Sequence, residues 1–80
     1  MVKIQGPNGR TVFINENLVS AVWIEHDHSV GVRADGEDYY FGKNEGYDPL
    51  AIIEVFAMAM SYGKNVYKVS FKGKEKGGGE

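Results

Sequence analysis

The segment from Leu50 to Tyr62 constrains the fold of this chain more than any other. Asp48-Pro49 opens it with an acid suited to an N-cap and a proline suited to the first helical position, and Gly63 offers a left-handed stop. The pattern therefore predicts a helix from Pro49 to about Tyr62. Eleven of the thirteen residues from Leu50 to Tyr62 are apolar, and the two exceptions, Glu54 and Ser61, are seven apart and lie nearly over one another. The polar stripe is one residue wide. A helix resting on one sheet of a monomer carries a broader polar face, so this one is expected to contact more than its own sheet.

Leu50, Ile53, Ala57 and Met60 define one helical face, and Ile52, Val55, Phe56, Ala59 and Tyr62 define a second. If a single sheet covers only one of them, the other leaves several aliphatic side chains wet, each worth roughly 1.5–3 kcal/mol when fully buried. The expectation is self-association, most simply as a two-fold dimer. Its interface is expected at Ile52, Val55, Ala59 and Tyr62, with Val19 and Trp23 on the outer side of a strand.

Before the helix the chain alternates at a period of two. Val2 to Gln5 is a short run that meets Gly6-Pro7-Asn8-Gly9, a hairpin signal, and Thr11 to Asn15 continues as a second strand. Leu18 to Glu25 is apolar on both sides, with Leu18, Val22 and Ile24 on one face and Val19, Ala21 and Trp23 on the other, which predicts a strand covered twice. Glu25 to Ser29 reads as a polar turn, Val30, Val32 and Ala34 as a fourth strand, Asp35-Gly36 as a tight turn, and Tyr39-Tyr40-Phe41 as a fifth. After the helix, Tyr67, Val69 and Phe71 alternate with lysines as a last, half-exposed edge strand. The expected fold is α+β: a five- or six-stranded antiparallel meander or partly closed small barrel packed on one helix. Its core is expected to hold Ile4, Val12, Ile14, Leu18, Val22, Ile24, Val30, Val32, Ile53, Phe56, Ala57 and Met60.

With 80 residues, the chain has room for one domain, expected over residues 1–71, and folding buries only roughly 60–65% of the unfolded surface at this size. There is no cysteine, so thiolate zinc sites and cysteine nucleophiles are excluded. The amino-terminal residues lack the apolar run of a signal peptide, and no segment reaches the roughly 20 apolar residues a bilayer requires, so a cytoplasmic protein without membrane insertion is expected. Net charge is −2 but uneven. Glu25 to Glu54 holds eight acids against Arg33 and Lys43, a local charge of −6, which disfavours nucleic acid. The stretch 72–80, rich in lysine and glycine, reads as a disordered tail.

Few residues carry chemistry. His26 and His28 are two apart and would share one face of a strand, but two imidazoles do not make a metal site, and a solvated turn accounts for them. Asn8-Gly9, Asp35-Gly36 and the Gly42–Gly46 loop open no helix in a βαβ unit and read as turns rather than phosphate cradles. Asp35, Glu37 and Asp38 lack an accompanying base or nucleophile, so no enzyme, no catalytic residue and no cofactor are expected. Trp23, Tyr39, Tyr40 and Tyr47 form a candidate binding surface, since flat aromatic faces can stack on a sugar or base or anchor a partner.

Met1-Val2-Lys3-Ile4, Asn8-Gly9-Arg10, Asn15-x-Asn17-Leu18-Val19 and Asp35-Gly36 before a tyrosine resemble the flagellar FlbD family, small bacterial proteins associated with motility and swarming. The resemblance covers residues 1–42, with Asn17 where an acid is usual, and implies a non-enzymatic accessory protein. The helix followed by Gly63-Lys64-x-Val66-x-x-Val69 is similar to the end of toxin B-subunits and other OB-like barrels, which implies a module for a glycan or small nucleotide. The sequence thus points to a small, non-catalytic interaction or accessory protein acting as a homo-oligomer, which the FlbD resemblance implies is motility-linked. The alternatives are that ligand-binding module and a phage or mobile-element inhibitor docking on a larger enzyme.

Overall fold

The computed structural model describes residues 1–63 and 65–72. Six strands and one helix follow in the order β1 (Val2–Gln5), β2 (Thr11–Ile14), β3 (Val19–Ile24), β4 (Val30–Ala34), β5 (Glu37–Phe41), α1 (Pro49–Tyr62) and β6 (Tyr67–Ser70). The expected α+β class and the count of six strands hold. The single meander or barrel does not: the strands form two separate sheets, β2-β1-β6 and β3-β4-β5.

Turn chemistry explains the hairpins. Between β1 and β2 the Gly9 amide donates to the Gly6 carbonyl, Gly9 takes a φ of 82°, and the Gly6 amide donates to Arg10 O at 2.6 Å. The β3–β4 turn repeats this geometry with His28 (φ 68°) in the left-handed position, and the Asp27 carboxylate accepts from the Ser29 amide. Asp35 and Gly36, at φ 53° and 79°, close β4 on β5 with a two-residue turn.

Helix α1 starts where expected, with Asp48 Oδ1 accepting from the Leu50 amide at 3.1 Å and Pro49 in the first turn, and it stops at Gly63. Apart from Phe56, which is buried as expected, its inward face is the reverse of the expected one. Ile52, Val55, Phe56 and Ala59 are buried, whereas Ala57 and Met60 are exposed, Leu50 is exposed and Ile53 is half-buried. The cause is β6, which returns after the helix and pairs in parallel with β1, setting Val2 beside Tyr67 and Ile4 beside Val69. That pairing builds a second sheet under α1, so the helix packs on β1 and β6 as well as on β4. Ile52, Val55 and Ala59 are therefore core residues and not an outer interface, while Tyr62 stays 74% exposed.

The core comprises Val2, Ile4 and Ile14 from the first sheet, Val30, Val32, Ala34 and Phe41 from the second, the four helix residues, and Tyr47. Val12, Val22 and Ile53 pack against it half-buried. Ile24, expected inside, is 51% exposed because β3 is an edge strand, and Leu18, also expected inside, is 49% exposed at the end of the 3-10 turn Glu16–Leu18 that precedes it. At one end Tyr47 clamps the sheets together: its ring stands edge-on to Phe41 at 5.2 Å and to Phe71 at 5.3 Å, and it lies against the open face of Gly6. Of the expected tail, Lys72 is exposed and residues 73–80 lie outside the described residues.

Candidate functional site

The most site-like feature is an apolar groove of about 460 Å³ along the free edge of β3, floored by Val22 and Ile24 and walled by Ile53, Phe56, Ala57 and Met60 of α1. Trp23 completes the lining, and no charged side chain contributes to it. At Ile24 the groove meets a smaller hollow of about 270 Å³ that runs under Pro49 and Leu50 and has a polar rim of His28, Lys43 and Asp48. The apolar strip thus extends from Met60 to Leu50. It exists because β3 is apolar on both faces yet has a neighbour only on its β4 side, so the outer row of α1 and the edge of the sheet leave a cleft between them.

Cross-strand register determines which backbone groups face this cleft. The Glu25 amide donates to Ser29 O across the hairpin at 2.8 Å, and hydrogen-bonded positions alternate along an antiparallel pair. Trp23 and Ala21 consequently pair with Gly31 and Arg33 of β4, and Val22 and Ile24 turn their N–H and C=O groups outward along the free edge.

The aromatic surface expected from the sequence is divided by the fold. Trp23 and Tyr40 share the outer face of the second sheet, with ring centroids 6.0 Å apart and planes at 82°. Tyr39 points to the other face, half-buried against the core, and Tyr47 is 5% exposed and belongs to the core, so neither can stack on a ligand beside Trp23. A Cβ on Gly31 would run into the indole of Trp23, so the ring lies directly over this glycine and shields its backbone. The Trp23 Nε1–H donates to the Glu25 carboxylate, and Arg33 lies 5.6 Å from the indole centroid while forming a bidentate pair with Asp38 at 2.6 and 3.0 Å.

The titration shifts report structural contacts. The Arg33 guanidinium holds Asp38 below the usual carboxylate range, and the Ser29 amide and hydroxyl lower Asp27. Burial, with the Glu37 carboxylate nearby, raises Tyr39. Glu16, 7% exposed at the start of the turn between β2 and β3, is lowered by its ion pair with the Met1 ammonium. None of these groups lines the groove. His26 and His28 are exposed in their turn, and among the described residues no group of three or more His, Cys, Asp or Glu side chains is placed to hold a metal ion. No helix among those residues is long and apolar enough to cross a membrane.

Val19, Trp23 and Tyr62 are the members of the expected interface that remain outside the core; Val19 and Trp23 lie half-buried on β3, and Tyr62 ends the helix. Ile24, Ala57 and Met60, expected inside and found exposed, are gathered by the groove, whereas Leu18 lies outside it. The signal that could have found them was the absence of charge and proline in Leu18–Ile24, an unguarded edge if that strand is not central. The chain matches no family model, no curated protein and no solved structure.

Proposed function

We propose that this chain is a small, non-catalytic interaction protein that works as a homo-oligomer through the face formed by β3 and α1. The observation that carries this reading is the groove itself: a continuous apolar strip, whose charged neighbours Lys43 and Asp48 stand only at the rim of its Leu50 end, on a chain of 80 residues. Leu50, Met60 and Ile24 are 67%, 49% and 51% exposed along it. Apolar side chains grouped in this way mark a contact surface rather than scattered exposure. The resemblance of residues 1–42 to the FlbD family suggests an accessory role in motility, for which a changed swarming phenotype with unchanged growth on gene deletion is the expected outcome.

The groove's volume also falls within the size range of small-molecule pockets, which favours a ligand-binding module as the second reading. Such sites use a few placed polar side chains to orient their ligand, a part that His28, Lys43 and Asp48 at the rim of the adjoining hollow would take. Sedimentation of the purified protein from low to high micromolar concentration tests the first reading. A mass above the monomer's is expected. A monomer throughout, with a dialysable ligand recovered from the purified protein, would replace it with the second.

A further inference from the structure

We infer that the occupant of the groove is a second copy of this chain, its β3 pairing antiparallel with β3 across a two-fold axis to join two three-stranded sheets into one of six strands. This rests on the homo-oligomer reading and gives it a place and a register. Val22 and Ile24 carry the outward-facing backbone groups, and both are satisfied when Val22 of one copy lies opposite Ile24 of the other. Trp23 then faces its own mate on the outer side, and Ala21 faces Glu25. The bulge between Val19 and Ala21 ends the pairing at the other side.

Three observations select a second copy. First, the four edges of the two sheets differ: β5 carries Glu37 and Asp38 and β6 carries Lys68, whereas β2 and β3 carry neither charge nor proline, and of these two β3 is the longer and the one that borders the groove. An edge this bare pairs with its equal without like-charge cost. Second, charges outside the pairing are complementary. Arg33 sits beside Ala21 in its own sheet, so the mate's Glu25 arrives one strand further on, roughly 10 Å away across a small side chain and within reach of both long ones. Third, the area fits a weak, concentration-dependent dimer. The exposed parts of Ile24, Leu50, Ala57 and Met60 with the half-buried Val22 and Ile53 amount to on the order of 450 Å² per copy, so mutual coverage of these side chains buries about 900 Å², to which the paired β3 backbones and facing Trp23 rings add. A two-fold axis normal to the sheet keeps both helices on one side, where their exposed rows approach each other. Residues 73–80 contain only glycine, lysine and glutamate and bring no apolar side chain to the groove.

Because the chain lacks cysteine, the register can be read by cross-linking. The double variant Ala21→Cys, Glu25→Cys places thiols at a non-hydrogen-bonded antiparallel pair, whose Cα separation of about 4.5 Å accepts a disulfide. It should form a covalent dimer under mild oxidation, whereas Ala21→Cys alone should not. Ile24→Lys, at a position half exposed in one copy, should keep the wild-type circular dichroism and weaken the dimer about 100-fold, through the cost of burying an unpaired charge. A wild type that stays monomeric at high micromolar concentration overturns both this inference and the homo-oligomer reading. A dimer that ignores Ile24→Lys, or a double variant that does not cross-link, leaves the reading standing and removes the β3 pairing.

Discussion

The two sheets have equal numbers of strands and are held by different kinds of contact. In the second sheet, β3, β4 and β5 follow one another through short turns, and every pairing is between neighbours in sequence. In the first, β1 is central and its parallel partner β6 comes from the far end of the described chain, with Gln5 accepting from Ser70 Oγ across 65 positions. Closing a loop of that length has an entropic cost, which must be offset by burial. The offset is visible: Val2 and Ile4 have no exposed surface, and Ile52, Phe56 and Ala59 pack in the same core. The second sheet buries Val30, Val32 and Phe41 as completely, but leaves Ile24 open on the free edge of β3. The sheet assembled from distant segments is thus held by burial shared across the chain, and the locally assembled one carries the candidate site.

Four substitutions or titrations break or sharpen this contrast. The largest effect is expected from Phe56→Ala, which empties a core position 1% exposed between the sheets. A loss of about 3–5 kcal/mol, and a Tm lower by roughly 15 °C or more, is expected. Far-ultraviolet circular dichroism and Trp23 fluorescence should report one transition. Two separated transitions would mean that the sheets unfold independently and that the shared core is not cooperative.

Gly6→Ala attacks the clamp. The new methyl would displace Tyr47 from Phe41 and Phe71, with an expected loss of about 1–3 kcal/mol by chemical denaturation. Gly36→Ala is the comparison, since nothing lies within 4 Å of its Cβ and only the φ of 79° resists it, at about 1–2 kcal/mol. If the two cost the same, the Tyr47 contact contributes little to joining the sheets.

Glu16 supplies a pH dependence. Its folded-state pKa is lowered by the Met1 ammonium, so the stabilisation is present above the pKa of the unfolded carboxyl and is lost as pH falls through the lower folded value. Melting curves through the acidic range should show wild type losing stability there, with Glu16→Gln less stable by about 1 kcal/mol near neutrality and flatter below it. Parallel curves for the two proteins would show that another carboxylate governs the acid limb. The smallest effect belongs to Asp38→Asn on the open face of the second sheet. Its pair with Arg33 is solvent-screened, so Tm should not change measurably. A clear drop would mean that the Arg33–Asp38 pair, and the Arg33 stacking on Trp23, organise that sheet.

The amino-acid sequence by itself determined the local pieces. Asp48-Pro49 and Gly63 mark the helix ends, Gly6-Pro7-Asn8-Gly9 and Asp35-Gly36 mark turns, and the alternation in Val30–Ala34 marks a buried strand face, because capping, turn dihedrals and the pleat act within a few residues. The inward face of α1 was decided only by tertiary structure. A helix apolar around most of its girth has no periodicity to point it, and the choice of Ile52, Val55, Phe56 and Ala59 over Leu50, Ala57 and Met60 follows from β6 pairing with β1. The same holds for β3, whose two apolar faces suit a central strand and an unguarded edge equally, until the absence of a neighbour beyond it in the sheet makes it the wall of a groove. Period-two patterning reports which residues share a face; which strand stands at the edge depends on pairings between distant segments, and no local pattern encodes them.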